Sequence, residues 1–187
     1  MALNQVGLER LETQVSKKLG VNKNLIINGA MEIAQRGTSS TTLGYVTVDR
    51  FLTGGASLDE NPTFEQANLI SSDTPYSSGF RKSAKLTNGN QTSGAEAGDV
   101  LKLNTKLEAQ DIATSGWNYT SASSFITLSF WVRSSVAQTY FVRLQTVDGT
   151  DQNFPFSYAL SANTWTKVTK TIPGNSNIQI DINNGIG

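Results

Sequence analysis

Two hydrophobic periods run along this chain, and they divide it near residue 23. In residues 1–20 the apolar side chains Leu8, Leu11, Val15 and Leu19 recur at spacings of three and four, which puts them on one stripe of a helix. Glu9 and Glu12 lie early and Lys17 and Lys18 late, matching the helix dipole, and Gly20 is placed to end it. About two heptads is too short for a stable free coiled coil. The stripe therefore either packs on its own domain or docks the chain to a partner or to further copies of itself.

From residue 24 the period becomes two. Asn24–Ile27 reads as a strand ending in the turn Asn28-Gly29, and Tyr45–Phe51 as a second strand closed by Gly54-Gly55. Thr63–Ile70, Phe80–Thr87 and Val100–Leu107 follow, with residues 88–98 polar enough to form a loop. The last third alternates most cleanly. Ile126, Leu128, Phe130 and Val132 share one face, as do Tyr140, Val142 and Leu144. Phe154, Phe156 and Tyr158 join the core if an odd number of residues turns the chain around Gly149, after Asp148. Trp165–Ile172 and Asn177–Ile182 complete the series. Strands at this spacing with turn signals between them predict an all-β protein, an antiparallel jelly-roll sandwich over residues 24–187 preceded by a short N-terminal α-helix in residues 1–23.

Composition narrows the chemistry. The chain has 187 residues, of which 37% are hydrophobic and 16% charged, and it is rich in Ser, Thr, Asn and Gly. That is too polar for a helical bundle and too apolar for a disordered chain. There is no Cys and no His, which excludes disulfides, thiol nucleophiles, Cys/His zinc sites and His-based triads. Fifteen basic and fifteen acidic residues cancel, and no basic run interleaves with aromatics, so no nucleic-acid partner is expected. No stretch approaches the length of apolar residues needed to span a bilayer, so no membrane insertion is expected either. The carboxylates are scattered without a recognisable pair for glycoside hydrolysis, and the Asp148–Asp151 turn falls far short of a calcium loop. The expectation is a protein that is not an enzyme and needs no cofactor or metal.

Two segments carry a resemblance. Asn24-Leu25-Ile26-Ile27-Asn28-Gly29, then Gln35-Arg36-Gly37, then Val48-Asp49-Arg50-Phe51, resembles the opening of a family of bacteriophage tail-fibre or appendage proteins with a carbohydrate-binding-like jelly roll. Leu107–Ile112, Ile126–Ser134 and Ala162–Gly174 are similar to the second half of that module. The resemblance spans residues 24–187, with 52–98 poorly anchored, and its motifs identify the module better than its ligand. It implies a virion structural protein, located in the tail and assembled in the host cytoplasm. Its implied partners are other virion proteins, further copies of itself (a trimer by family resemblance) and a host-surface glycan. The chain ends at Asn183–Gly187, where such proteins continue with another core strand, so a jelly roll truncated at its C-terminal end is expected. The alternative is a carbohydrate-binding module of a hydrolase whose catalytic domain is absent from this chain.

Candidate site residues follow from the alternation. If the even positions of 125–133 are core, Trp131 and Arg133 face outward; on 140–145 the same logic turns Phe141 and Arg143 outward. A hairpin about residue 136 would set Trp131 opposite Phe141 and Ser129 opposite Arg143, an aromatic pair flanked by arginines that suits sugar stacking. The opposing reading is that another segment or subunit covers this face. Trp117 and Tyr119 lie in a polar loop, where they either bind ligand or pack. Leu8, Leu11, Val15 and Leu19 are the candidate partner-docking residues.

Overall fold

The computed structural model describes residues 24–147, 151–176 and 178. The helix expected in residues 1–20, with its stripe of Leu8, Leu11, Val15 and Leu19, lies outside the described residues. So do Asp148–Thr150 and, residue 178 apart, the strand expected over 177–182. What is described is mostly β, about 40% strand against 6% helix. In chain order the elements are β1 (Ser39–Ser40), β2 (Phe51–Ala56), β3 (Thr63–Asn68), the one-turn α1 (Thr74–Ser77), β4 (Lys82–Thr87), β5 (Val100–Thr105), α2 (Ala109–Ala113), β6 (Phe125–Val132), β7 (Gln138–Thr146), β8 (Gln152–Leu160) and β9 (Thr166–Pro173). They fall into two compact units, residues 26–106 and residues 107 onward.

In the first unit β1, β3 and β4 form an antiparallel sheet in that order, and β2 pairs with β5. Its core is Phe64, Val48 and Phe51, with Ile26, Met31, Val46, Ala84 and Leu86 packed around them. Across the β3–β4 ladder Phe64 faces Leu86, and Glu65 faces Lys85 with an ion pair at 3.0 Å. The loop at 88–98 is held by Asp59, whose carboxylate accepts from the Ser93 N–H (2.7 Å) and hydroxyl (2.8 Å) and from the Thr92 hydroxyl (3.3 Å). These bonds, the Ser93 backbone first, hold the Asp59 pKa below its ordinary value.

Two expected strands are absent here, each for a local reason. Asn28 takes a positive φ of 56°, so Asn24–Ile27 leads into a turn without a ladder partner among the described residues. At 45–50, adjacent Thr47 and Val48 are both buried, which a strand with one wet face cannot achieve, and Arg50 has φ of 72°. The strand begins instead at Phe51 and runs through Gly54 and Gly55. Gly54 sits under the stem of Lys102 on β5: a Cβ there would lie 2.8 Å from its Cε. These glycines make room inside a strand rather than ending one.

The second unit is two two-stranded antiparallel sheets, β6–β9 and β7–β8. The hairpin expected between β6 and β7 does not form. Trp131 pairs with Lys167 and Ser129 with Thr169, while Phe141 pairs with Ser157 and Arg143 with Pro155. The reason is burial. Phe130 and Val132 on β6 and Tyr140 and Val142 on β7 are all inward positions, and setting their strands in facing sheets lets them bury one another. The Phe130 ring meets Tyr158 of β8 edge-on at 5.6 Å, and Tyr158 stacks on its cross-strand partner Tyr140 at 6.0 Å. Ile172 and Leu160 are buried in the same unit. The connection 133–137 is pinned by a hydrogen bond between the Ser134 and Tyr140 hydroxyls and by the Asn163 N–H donating to the Ser134 carbonyl at 2.6 Å.

Phe154, Phe156 and Tyr158 do join the inner face, opposite Leu144, Val142 and Tyr140, as the odd connection requires. Inside that face, burial and then the neighbouring Tyr140 raise the Tyr158 pKa above its ordinary value of 10.0. A raised phenol pKa favours the neutral form in the fold. Its stabilising contribution is complete below pH 10 and is lost as pH rises through the folded value. Thermal unfolding followed between about pH 9 and 11.5 should therefore show an alkaline loss of stability that Tyr158→Phe reduces. An unchanged profile in the variant would place the loss elsewhere.

Gly174, directly after β9, is buried beneath the loop at 118–121. A Cβ there would come within 2.5–2.7 Å of the Ser121, Asn118 and Tyr119 carbonyl oxygens. Backbone cannot yield as a flexible side chain does, so Gly174→Ala should destabilise the protein by about 1–3 kcal/mol in denaturant unfolding.

Candidate functional site

The alternation along the strands of the second unit also defines two outer faces, which belong to different sheets. On β7–β8 the outer face carries Phe141 and Arg143, both exposed, with Ser157 and Pro155 opposite them. Phe141 is 76% exposed, the most exposed large apolar side chain among the described residues. On β6–β9 the outer face carries Trp131 and Lys167 as a registered pair, with Ser129 and Thr169 beside them. The inner faces of the two sheets meet through Phe130 and Tyr158, so their outer faces point apart. Trp131 and Phe141, expected side by side, do not share a surface. The single aromatic patch drawn from the sequence becomes two separate ones.

Trp117 is not an exposed loop aromatic. Its ring is 8% exposed, its indole N–H donates to the Ser124 carbonyl at 3.3 Å, and its own backbone N–H donates to the Ser115 hydroxyl. Tyr119 is half-buried, meets the Trp117 ring edge-on at 6.4 Å, and accepts the Asn175 N–H at its carbonyl. The loop from α2 to β6 has no sheet to satisfy its backbone, so its aromatics and hydroxyls do that work locally. That packing leaves the Trp117 ring no open face for a ligand.

The residues on which the family resemblance rests in the first unit converge on one another. Asn28 Nδ2 donates to the carbonyls of Ile33 and Asp49, both at 2.9 Å, and its Oδ1 accepts the Ile33 N–H at 3.0 Å. The Asp49 N–H returns to the Ile33 carbonyl, and its carboxylate accepts the Gln35 N–H at 3.2 Å beside the Arg36 guanidinium at 3.7 Å. One asparagine amide thus joins three stretches of loop over the core residues Val48 and Phe51. The Arg36–Asp49 pair is largely exposed at Arg36 and adds little. The arrangement is a structural clasp. A cleft of about 400 Å³ elsewhere is lined by Thr41, Leu58, Asp59, Glu60 and Asn61, but the Asp59 carboxylate there already serves the 88–98 loop. Among the described residues no three acidic side chains gather as metal ligands would.

No family model matches the chain, and no curated protein or solved structure matches it either. Sequence reasoning missed the cross-strand neighbours of Trp131. Lys167 was not legible as the neighbour of Trp131, because β9, the partner of β6, lies far along the chain.

Asn28 is where the clasp is most exposed to substitution. Asn28→Ala removes three hydrogen bonds at roughly 0.5–1.5 kcal/mol each and puts a Cβ-bearing residue without a polar side chain at positive φ. It should destabilise the protein by about 2–4 kcal/mol in urea unfolding. Asn28→Gly keeps the φ and loses only the bonds, so it should fall between the two. Equal stability of all three forms would show that the amide holds nothing.

Proposed function

We propose that this chain is a non-enzymatic structural component of a bacteriophage virion, a tail fibre or similar appendage, whose β domain is a glycan-binding-like jelly roll. The observation that carries the reading is the convergence of Asn28, Gln35, Arg36 and Asp49, the residues of the resemblance, into one clasp over the core. Residues spread along a sequence and meeting in space are what a family-defining structural motif requires. The sandwich of β6–β9 on β7–β8 is compatible with the second half of a jelly roll. Under this reading Leu8, Leu11, Val15 and Leu19 dock the chain to a neighbouring virion protein or to its own copies, as a trimer.

The host-facing surface under this reading includes Phe141 and Arg143. A bare aromatic ring with a guanidinium two residues on, set on the outer face of a sheet, suits stacking on a sugar ring and hydrogen bonding to its hydroxyls.

Immunogold labelling of the phage that encodes this chain tests the location, with label expected at the tail. Purified chain should adsorb to host cells and compete with the phage. Phe141→Ala should weaken adsorption by about tenfold, near 1.4 kcal/mol, with an unchanged unfolding midpoint. Absence of the chain from purified particles would overturn the reading.

A further inference from the structure

We propose that Asn88 is a site of spontaneous modification: its side chain cyclises onto the Gly89 nitrogen and loses ammonia, and the product releases the 88–98 loop from residues 59–61. The fold thereby carries a slow, one-way switch in its first unit. The inference does not depend on the glycan-binding reading.

The sequence holds three Asn-Gly steps: Asn28-Gly29, Asn88-Gly89 and Asn184-Gly185, the last outside the described residues. Such a step is reactive because glycine has no Cβ to shield its backbone nitrogen. The Gly89 nitrogen attacks Asn88 Cγ. A new N–C bond closes a five-membered succinimide, the bond from Cγ to the side-chain nitrogen breaks, and ammonia leaves with the Gly89 proton. Water then opens the ring. Addition at Cγ leaves an ordinary aspartate; addition at the backbone carbonyl carbon leaves an isoaspartate, with the chain running through Cβ and Cγ. The reaction requires a side chain free to swing onto the next nitrogen. Asn28 is not: its amide donates to the Ile33 and Asp49 carbonyls and accepts the Ile33 N–H. Asn88 is exposed, stands directly after β4, and its side chain has no hydrogen bond among the described residues.

What the product does follows from the neighbours of Gly89. Its backbone lies flush on the 60–61 stretch: a Cβ there would come 2.7 Å from the Asn61 carbonyl oxygen and 2.8 Å from Glu60 Cγ. The next residues fasten the loop in register. The Asn90 N–H donates to the Glu60 carboxylate, and the Gln91 side chain accepts the Asp59 N–H and donates to the Glu60 carbonyl, both at 3.0 Å. Thr92 and Ser93 donate to the Asp59 carboxylate. An isoaspartate adds one atom to the backbone just ahead of this series, against a carbonyl that has no room to give. Every bond after it moves out of register. The new carboxylate also sets a negative charge near Glu60 and Asp59, so charge and geometry push the same way. The β3–β4 ladder ends at the Thr63–Thr87 pair, before the altered bond, so the loop is released without unpairing the strands.

The test is to age the full chain at physiological temperature and pH, folded and in urea, and follow its tryptic peptides by mass spectrometry. Peptide 86–102 carries Asn88 and peptide 24–36 carries Asn28. In the folded chain the Asn88 peptide should deamidate at least about tenfold faster, because Asn28 reacts only when its clasp opens. Isoaspartyl methyltransferase should label the same peptide. In urea the two should react at similar rates. Equal rates in the folded chain, or a folded chain in which peptide 86–102 stays intact, would overturn the proposal. Release of the loop is read by a glutamyl endopeptidase cutting after Glu96, which should cleave aged chain several-fold faster than fresh chain. Asn88→Gln, which must close a larger ring, should age without gaining cleavage. Asn88→Asp adds the charge without the extra backbone atom and should fall between fresh and aged chain. Cleavage after Glu96 that does not change on ageing would overturn the switch.

Discussion

The contact between Phe130 and Tyr158 organises the second unit. A two-stranded sheet is not stable in water by itself, and each of β6–β9 and β7–β8 needs its apolar face covered. Turning Phe130 edge-on to Tyr158, with Tyr140 stacked behind, supplies that cover and fixes which side of each strand is inside. Because side chains alternate strictly, fixing one position fixes all of them. The outward direction of Trp131, Lys167, Phe141 and Arg143 is a consequence of that one packing choice.

Period-two patterning told inside from outside correctly across the last third of the chain, where every second residue is large and apolar. Ile126 to Val132 and Phe154 to Tyr158 needed no partner to be read. What the pattern could not carry was which strand lies beside which. Adjacent strands joined by a short connection can form a hairpin or cross between facing sheets, and both keep the same residues inside. The choice depended on whether Tyr140 and Phe130 bury better side by side or face to face. The candidate site inherited that error: Phe141 and Arg143 stand together as expected, Trp131 stands elsewhere, and Trp117 is packed.

In the first unit the pattern failed for another reason. Residues 24–27 and 45–51 look strand-like, the first as an apolar run before an Asn-Gly turn and the second through Val46 and Val48 two apart, yet the backbone up to Arg50 is irregular. Its polar groups are satisfied by side chains: the Asn28 amide, the Asp49 carboxylate, the Gln66 amide on the Met31 carbonyl. Hydrogen bonds from side chain to backbone compete with ladders and leave no periodic trace. The Asn-Gly and Asp-Arg pairs were the only visible signs. They mark positive φ at Asn28 and Arg50, where the chain turns instead of extending.

Pro155 lies in the middle of β8, across from Arg143. It offers no N–H, and β8 has no neighbour other than β7 among the described residues. A foreign strand laid along β8 would meet a missing donor halfway and could not zip past it. β7 carries no proline over its nine residues and has no neighbour other than β8 among the described residues, so its other side is the one that could accept an added strand. When copies crowd together, that difference gives growth of this sheet a direction: the margin with the proline resists an added strand and the other does not.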